Sequence, residues 1–510
     1  MLVFVGFLIL IIAGINFVNL ATARSAERAK EVGIRKVLGS EKKQLIYQFL
    51  SESLLLSVIS MTLAIAFIQI TLGVFNSLLP EPLEFSLTNG IVVIFAILIV
   101  LSLGLVAGLY PAFYISSLKP VQVLKGKFKS SSEGNHLREG LMIFQFCISV
   151  ILITATLVVF RQMRYVQQKD LGFEKENIIV INHNGQGQQD IETLASELRT
   201  TPGVMQVGYG NANPGGYYFG IAFQKPGETD VKMVRGTTIS DHFGNALGMR
   251  LSQGRMFSPS FNDSLSIILN ESAVRAIGLT DPVGAMLTNS ANPASPPTTY
   301  TVVGVVEDFN FESLRKTVDP LALFSTEGQY NFYGVISIRL DSNDISSSIA
   351  AIESKWKQVL PDEPFIYSFL DSNLDGQYTS EMATAKILAL FTMVAILIAC
   401  VGLFGLAAYM TNQRTKEIGV RKILGASISN IIKLLSADFV KLVGISLLVG
   451  SPVAYYLMNN WLQSFAYRTS LTLSTFVAAG FIILAITAIT VSYQAIKAAT
   501  ANPVDSLKEE

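Results

Sequence analysis

Apolar residues gather into seven long runs, at about 1–22, 50–75, 90–115, 139–160, 383–409, 434–458 and 472–496. A hydrocarbon core of about 30 Å takes roughly 20 helical residues to cross, so each run predicts a membrane-spanning helix. Between the fourth and fifth runs the pattern changes. Short β-branched stretches, NIIVI (177–181), SIILN (266–270), YTVVGVV (300–306) and YGVISIRL (333–340), predict strands, and IETLASEL (191–198) and ISSSIAAIESKWKQVL (345–360) predict helices. Residues 161–382 therefore read as a folded α/β domain outside the bilayer. Its edges, RQMRYVQQKDLG (161–172) and DGQYTSEMATAK (375–386), read as continuations of the flanking spans, two helices rising as a stalk.

Composition agrees with a membrane protein. Half of the 510 residues are hydrophobic, 15% are charged and the mean hydropathy is +0.45, too apolar for a soluble enzyme of this length. The net charge of zero matters less than its distribution. Arg24, Arg28, Lys30, Arg35, Lys36, Lys42 and Lys43 follow the first run; Lys119, Lys125, Lys127, Lys129 and Arg138 follow the third. Arg414, Lys416, Arg421, Lys422 and Lys433 follow the fifth, whereas the connections 76–89 and 459–471 hold only Arg468. Basic loops stay cytoplasmic, which puts Met1 outside and Glu510 inside. The apolar start lacks a basic n-region and a small-residue cleavage site, so it reads as a span and not as a signal peptide. Cys147 and Cys400 both fall in spans, which leaves the external domain no disulfide framework.

One phrase occurs twice. EVGIRKVLG (31–39) returns 386 positions later as EIGVRKILG (417–425), with only valine and isoleucine exchanged. Each copy follows a span running from outside to inside, so the repeat is parallel with a period of four spans. Downstream, LKPVQVLK (118–125) corresponds to TANPVDSLK (500–508), Pro120 matching Pro503 and Leu124 matching Leu507. Four spans per unit predict eight where seven are counted, and the expectation is that one span and a first external domain are missing before Met1. The domains expected are a three-span repeat at 1–125, a cytoplasmic linker at 126–138, a membrane helix at 139–160, the external domain at 161–382 and a second three-span repeat at 383–510.

Motifs for chemistry are scarce. No GxxxxGK[ST] loop occurs, which excludes ATP hydrolysis by that route, and the chain reads as no enzyme. DSNLDG (371–376) resembles the start of a calcium loop but has Met382 where the bidentate glutamate belongs, so a polar turn is expected. His136, His183 and His242 share no metal-ligand spacing and read as isolated surface residues. GYGNANPGGYYFG (208–220) reads as a flexible rim. No metal, cofactor or nucleic acid is implied. The central turns of the spans carry no Asp, Glu, Lys or Arg, which argues against an ion-coupled carrier. Glu52 and Asp438, also 386 apart, lie near the inner ends of spans; they read either as carboxylates at helix N-termini or as contacts with a cytoplasmic partner. In the repeated phrase a helix would put Ile34, Val37 and Leu38 on one face with a Glu31–Arg35 pair beside it. Topological anchoring needs only positive charge, so the repetition of Glu, Gly, Arg-Lys and Leu-Gly points to partner docking.

With their flanks, NLATARSAERAKEVGIRKVLGS (19–40) and GLFGLAAYMTNQRTKEIGVRKILGA (402–426) resemble the FtsX-like permease family of ABC transporters, MacB-type. GMRLSQGRMF (248–257), LNESAVRAIGL (269–279) and TVVGVVEDFNFESL (301–314) resemble phrases of that family's periplasmic domain. The resemblance implies a multi-pass protein of the bacterial inner membrane with residues 161–382 in the periplasm. It implies coupling helices at 30–40 and 416–426, carried by Glu31, Gly33, Ile34, Arg35, Lys36, Leu38 and Gly39 and by Glu417, Gly419, Val420, Arg421, Lys422, Leu424 and Gly425. Two cytoplasmic ATPase subunits would dock there and drive export or extraction by mechanotransmission, with a periplasmic adaptor or outer-membrane channel and membrane lipid as further partners. The alternatives in the family are a non-transporting regulator of a periplasmic partner such as a cell-wall hydrolase, and a lipoprotein-release permease.

Overall fold

A computed structural model describes residues 2–77, 79, 82–117, 132–183, 188–289, 297–328, 330 and 334–500. LKPVQVLK (118–125) and all of TANPVDSLK (500–508) but Thr500 lie outside them, and so does the 126–131 part of the expected linker. The chain divides into two units. One comprises Met1–Met163, Ser380–Leu462 and Thr469–Glu510; the other comprises Arg164–Thr379 with Gln463–Arg468.

All seven apolar runs are helical. They lie on α1 (Leu2–Val37), α2 (Lys42–Asn76), α3 (Gly90–Ser117), α4 (Ser132–Gln168), α10 (Thr379–Gln413), α12 (Ile428–Leu462) and α13 (Leu473–Thr500). Among the described residues five of these, α1, α2, α4, α10 and α13, are long and apolar enough to cross a membrane. In α3 the qualifying stretch is the shorter Gly90–Val106. α12 carries Lys433, Asp438 and Lys441 in its first half. Among the described residues the count of seven is thus not reached by length and hydropathy alone.

Small and polar side chains make several of the contacts between these helices, as expected where lipid weakens the hydrophobic drive for association. Asn16 on α1 donates its amide to the Ile398 carbonyl of α10 at 2.5 Å and fills the space beside Gly402 that a Cβ would take. Thr156 on α4 meets Thr392 on α10 at 2.8 Å, and Ser446 on α12 donates to the Ile143 carbonyl of α4 at 3.0 Å. Met142, Phe146 and Val150 of α4, Leu403 and Leu406 of α10, Phe439 and Val443 of α12 and Ile483 of α13 form one buried cluster.

The second unit is built on an eleven-stranded sheet: β1 (Ile178–Asn182), β2 (Val204–Gly210), β3 (Phe219–Gln224), β4 (Val231–Ile239), β5 (Leu251–Gly254), β6 (Ser266–Asn270), β7 (Met286–Asn289), β8 (Thr298–Val306), β9 (Leu321–Ser325), β10 (Val335–Leu340) and β11 (Tyr367–Phe369). Strands β11-β1-β10-β2 pair antiparallel. Their inward residues, among them Ile179, Ile181, Val207 and Ile338, pack on α5 (Gln188–Leu198) and α8 (Ile345–Val359) through Leu194, Ile352 and Trp356. Strands β4-β3-β7-β8-β6-β9 form a ring, closed by the parallel pairing of β4 with β9 from Arg235↔Leu321 to Ile239↔Ser325. Closure leaves these strands no free edge. Phe223, Tyr300 and Phe324 fill the interior with ring centroids 5.2–6.3 Å apart. Past the short α6 (Phe243–Ala246), the phrase LNESAVRAIGL makes α7 (Glu271–Ile277): buried Asn270 accepts from Ala273 N–H at 2.8 Å at its start, and Gly278 at φ 76° ends it.

Several expectations change here. GYGNANPGGYYFG is no flexible rim: Ala212 and Tyr218 are core residues, Gly215 N–H donates to the Phe311 carbonyl at 2.8 Å, and Tyr218 packs on Phe311 at 4.6 Å. Burial, with Glu312 nearby, pushes the Tyr218 phenol far above its ordinary range. Polar turn residues misled because their amides are satisfied inside the fold. His183 is not a surface residue; its ring is buried and meets Glu363 at 2.8 Å. His242 pairs with Asp241 at 3.0 Å, and His136 lies 3.7 Å from Glu139. DSNLDG is helical, forming most of α9 (Leu370–Gly376), because buried Leu370 and Leu374 anchor one face. The outer connection Gln463–Arg468 joins the external unit, where Ala466 N–H donates to the Arg315 carbonyl at 3.0 Å.

Candidate functional site

The repeated phrase ends in the same geometry twice. In the first copy residues 31–37 are the last turns of α1. Gly39 takes φ +97°, Ser40 N–H donates to the Arg35 carbonyl at 3.0 Å and Gly39 N–H to the Lys36 carbonyl at 3.2 Å. In the second copy the phrase forms α11 (Thr415–Ile423). Gly425 takes φ +87°, Ala426 N–H donates to the Arg421 carbonyl at 2.9 Å and Gly425 N–H to the Lys422 carbonyl at 3.0 Å. This paired 6→1 and 5→2 bonding needs a left-handed residue, the physical reason for glycine at that place in both copies.

The copies differ upstream. Residues 30–40 are not a separate helix, whereas α11 is set off from α10 by a turn at Arg414. Good helix formers, Ala, Arg and Glu, join span to phrase in the first copy; Thr411, Asn412 and Thr415 occupy the second. Arg414 lies 3.2 Å from Asp438 of α12, which ties that turn to its neighbour. Asp438 and Glu52 do not sit at helix N-termini, since α12 begins at Ile428 and α2 at Lys42, beyond the first-turn reach of the macrodipole. The apolar run begins well after the helix does, which hid the true start.

Each phrase buries one apolar side chain and exposes its other apolar ones. Val32 is buried against Leu45, Phe49 and Ala112; Ile418 is buried against Ile431, Leu435 and Ala495. Adding 386 to Val32, Leu45 and Phe49 gives Ile418, Ile431 and Leu435, so the two packing clusters use matching positions. Sequence reasoning missed Val32 and Ile418; their place one residue after the repeated glutamate was the available signal. Burying either contributes about 1.5–3 kcal/mol. By contrast Leu38 is 80% and Leu424 79% exposed, and Ile34, Val37, Val420 and Ile423 are exposed too.

Charge frames these apolar tips. Arg35 bonds Glu31 at 2.5 Å and reaches Gln48 of α2 at 2.9 Å; Arg421 bonds Glu417 at 2.7 Å. Partial burial and the neighbouring Lys42 push the Lys36 ammonium below its ordinary value. Gly33 and Gly419 fall on the helices, and Lys422 lies in the last turn of α11. No group of three or more His, Cys, Asp or Glu that could hold a metal occurs among the described residues. The arrangement offers two exposed apolar knobs in charged collars.

Comparison with known proteins covers most of the chain. A model of the FtsX-like permease C-terminal region matches residues 3–120 and again 389–503, and one of the MacB-like periplasmic core domain matches 141–355. The macrolide export ATP-binding/permease protein MacB of Bdellovibrio bacteriovorus is 36% identical over 122 residues, 23% of this chain and 17% of that protein. The uncharacterized ABC transporter permease YknZ of Bacillus subtilis is 30% identical over 116 residues, 23% of this chain and 28% of that one. This chain thus matches well under a third of the length of each. The solved periplasmic region of MacB from Actinobacillus actinomycetemcomitans, 16% identical, aligns with 41% of this chain and 97% of its own at a TM-score of 0.31. With two permease regions flanking a periplasmic core domain, the chain belongs to the FtsX-like, MacB-type family of ABC transporter permeases.

Proposed function

We propose that the chain is the permease subunit of an inner-membrane ABC transporter, in which separate cytoplasmic ATPase subunits, two of them, grip the two phrases and drive export or extraction by reshaping the periplasmic domain. The chain crosses the membrane seven times in two parallel repeats, and ATP hydrolysis belongs to the partner. One observation carries this reading: two helical ends, built from matching residues at matching spacing, present Leu38 and Leu424 outward beyond a buried anchor. A lipid anchor or a positive-inside signal has no use for two such tips. The meeting of Asn16 with Gly402, residues 386 apart, supports two repeats facing each other across an axis.

The reading is tested by co-purifying the tagged full chain with the ABC ATPases of its own organism and counting subunits by native mass spectrometry. Two ATPase subunits per permease, with ATPase activity altered by the permease, is the expected result. Transport by the chain alone, with no ATPase retained at low salt, would overturn it.

A further inference from the structure

α4, α10 and α12 enclose a cleft of about 400 Å3 within the membrane unit. Its rim holds Arg138, Glu139, Arg414, Asp438 and Lys441. About one helical turn, four residues, takes each wall from charge to hydrocarbon: Arg138 to Met142 on α4, Lys441 to Ile445 on α12 and, running the other way, from Arg414 just past the end of α10 back to Met410. Leu406, Phe439 and Leu442 complete the apolar floor. The cleft is amphiphilic along the direction in which lipid is amphiphilic.

Charge at the rim is not balanced. Three basic residues face two carboxylates, and Asp438 is already engaged by Arg414 at 3.2 Å. Lys441 is exposed and forms no ion pair among the described residues. Arg138 is 8% exposed, its guanidinium 5.5 Å from the centroid of the Tyr409 ring, so it adds a cation where water is scarce. A soluble phosphate would leave the floor empty, and a neutral lipid would leave the exposed Lys441 without a counter-charge. We propose that this cleft holds the head group and upper acyl chain of an anionic phospholipid, the phosphate between Arg138 and Lys441 and the chain against Met142, Phe439 and Leu442. Basic pockets between membrane helices suit such head groups, each nearby cation contributing about 1 kcal/mol, roughly fivefold in affinity. Because Arg414 opens α11, a lipid phosphate competing with Asp438 would also loosen the turn that positions the second phrase.

The test titrates the detergent-solubilised full chain with dioctanoyl phosphatidylglycerol, dioctanoyl phosphatidylcholine and glycerol 3-phosphate, counting adducts by native mass spectrometry. Phosphatidylglycerol is expected to bind at least about tenfold tighter than either of the others. Lys441→Gln should weaken it about fivefold while Lys441→Arg retains it. Lys441 is exposed, so this pair tests the site even if Arg138→Gln fails to fold. Equal binding of phosphatidylcholine would overturn charge recognition, and equal binding of glycerol 3-phosphate would make the site one for free phosphate. An unchanged phosphatidylglycerol affinity in Lys441→Gln would move the lipid elsewhere.

Discussion

Truncating Leu424 to alanine separates docking from folding. Its side chain is 79% exposed and belongs to no buried cluster among the described residues, so Leu424→Ala should change the stability of the permease by less than about 0.5 kcal/mol. An apolar anchor buried in an interface typically costs about 2 kcal/mol or more when truncated, close to thirtyfold in affinity. Ile418, six residues earlier but 3% exposed, should behave in the opposite way: Ile418→Ala opens a cavity beside Ile431 and Leu435 and should cost about 2–5 kcal/mol of stability. Lys422→Ala, at the rim, should mainly alter the salt dependence of association. The assay is a titration of purified ATPase onto nanodisc-reconstituted permease, run beside a thermal melt and a transport measurement. The expected pattern is an unchanged melt with about thirtyfold weaker binding and uncoupled hydrolysis for Leu424→Ala, a similar phenotype for Leu38→Ala, and no coupling in the double variant. Wild-type ATPase affinity and transport in Leu424→Ala would refute the docking argument outright.

Gly425→Ala places a Cβ at φ +87° in open space, so the cost is conformational, about 1–2 kcal/mol; it should fray the end of α11 and lower ATPase affinity with little change in the melt. Gly402→Ala sets its methyl against the Asn16 side chain and should lower the melting temperature, and Asn16→Ala in the same chain should recover part of the loss; strict additivity of the two would argue against that contact. In the external domain burial pushes the Asp263 carboxyl up, but hydrogen bonds from Arg255, Ser266 and the Ser258 N–H, with the charge of Arg255, outweigh it and hold the acid below its ordinary value. A lowered folded pKa stabilises above the unfolded value, about 4, and that contribution is lost as pH falls through the folded value; Asp263→Asn should flatten the acid limb of the stability profile, which urea titrations from pH 7 down to pH 2 would record. Residues 161–382, expressed alone, should melt at the same temperature with and without chelator or reductant, and a drop of several degrees with chelator would refute metal-free folding.

Much of this architecture is legible from the chain itself, because its causes are local. Runs of 20 or more apolar residues become helices whatever surrounds them, and all seven did. SIILN (266–270) and ISSSIAAIESKWKQVL (345–360) emerged as β6 and α8 because a short continuous β-branched run and a period-3.6 pattern need no partner to be read. The phrase at 31–39 and 417–425 announced its own importance by repetition, and its Leu-Gly ending required the left-handed turn found at Gly39 and Gly425.

What depended on distant contacts was not legible. Polar His183 is buried because Glu363, remote in sequence, meets it, and Ala212 and Tyr218 of the glycine-rich 208–220 stretch are buried where Gly215 N–H reaches the distant Phe311 carbonyl. The ring closure of β4 on β9, and the passage of Gln463–Arg468 into the external unit, are pairings between segments with no shared local signal. The division of labour within the phrase is of the same kind: Val32 and Ile418 read like their apolar neighbours, and only the helices beside them decide which side chain is covered and which, Leu38 and Leu424, is left for a partner. Periodicity records the chemistry of a face, whereas burial is conferred by whatever the rest of the chain brings against it.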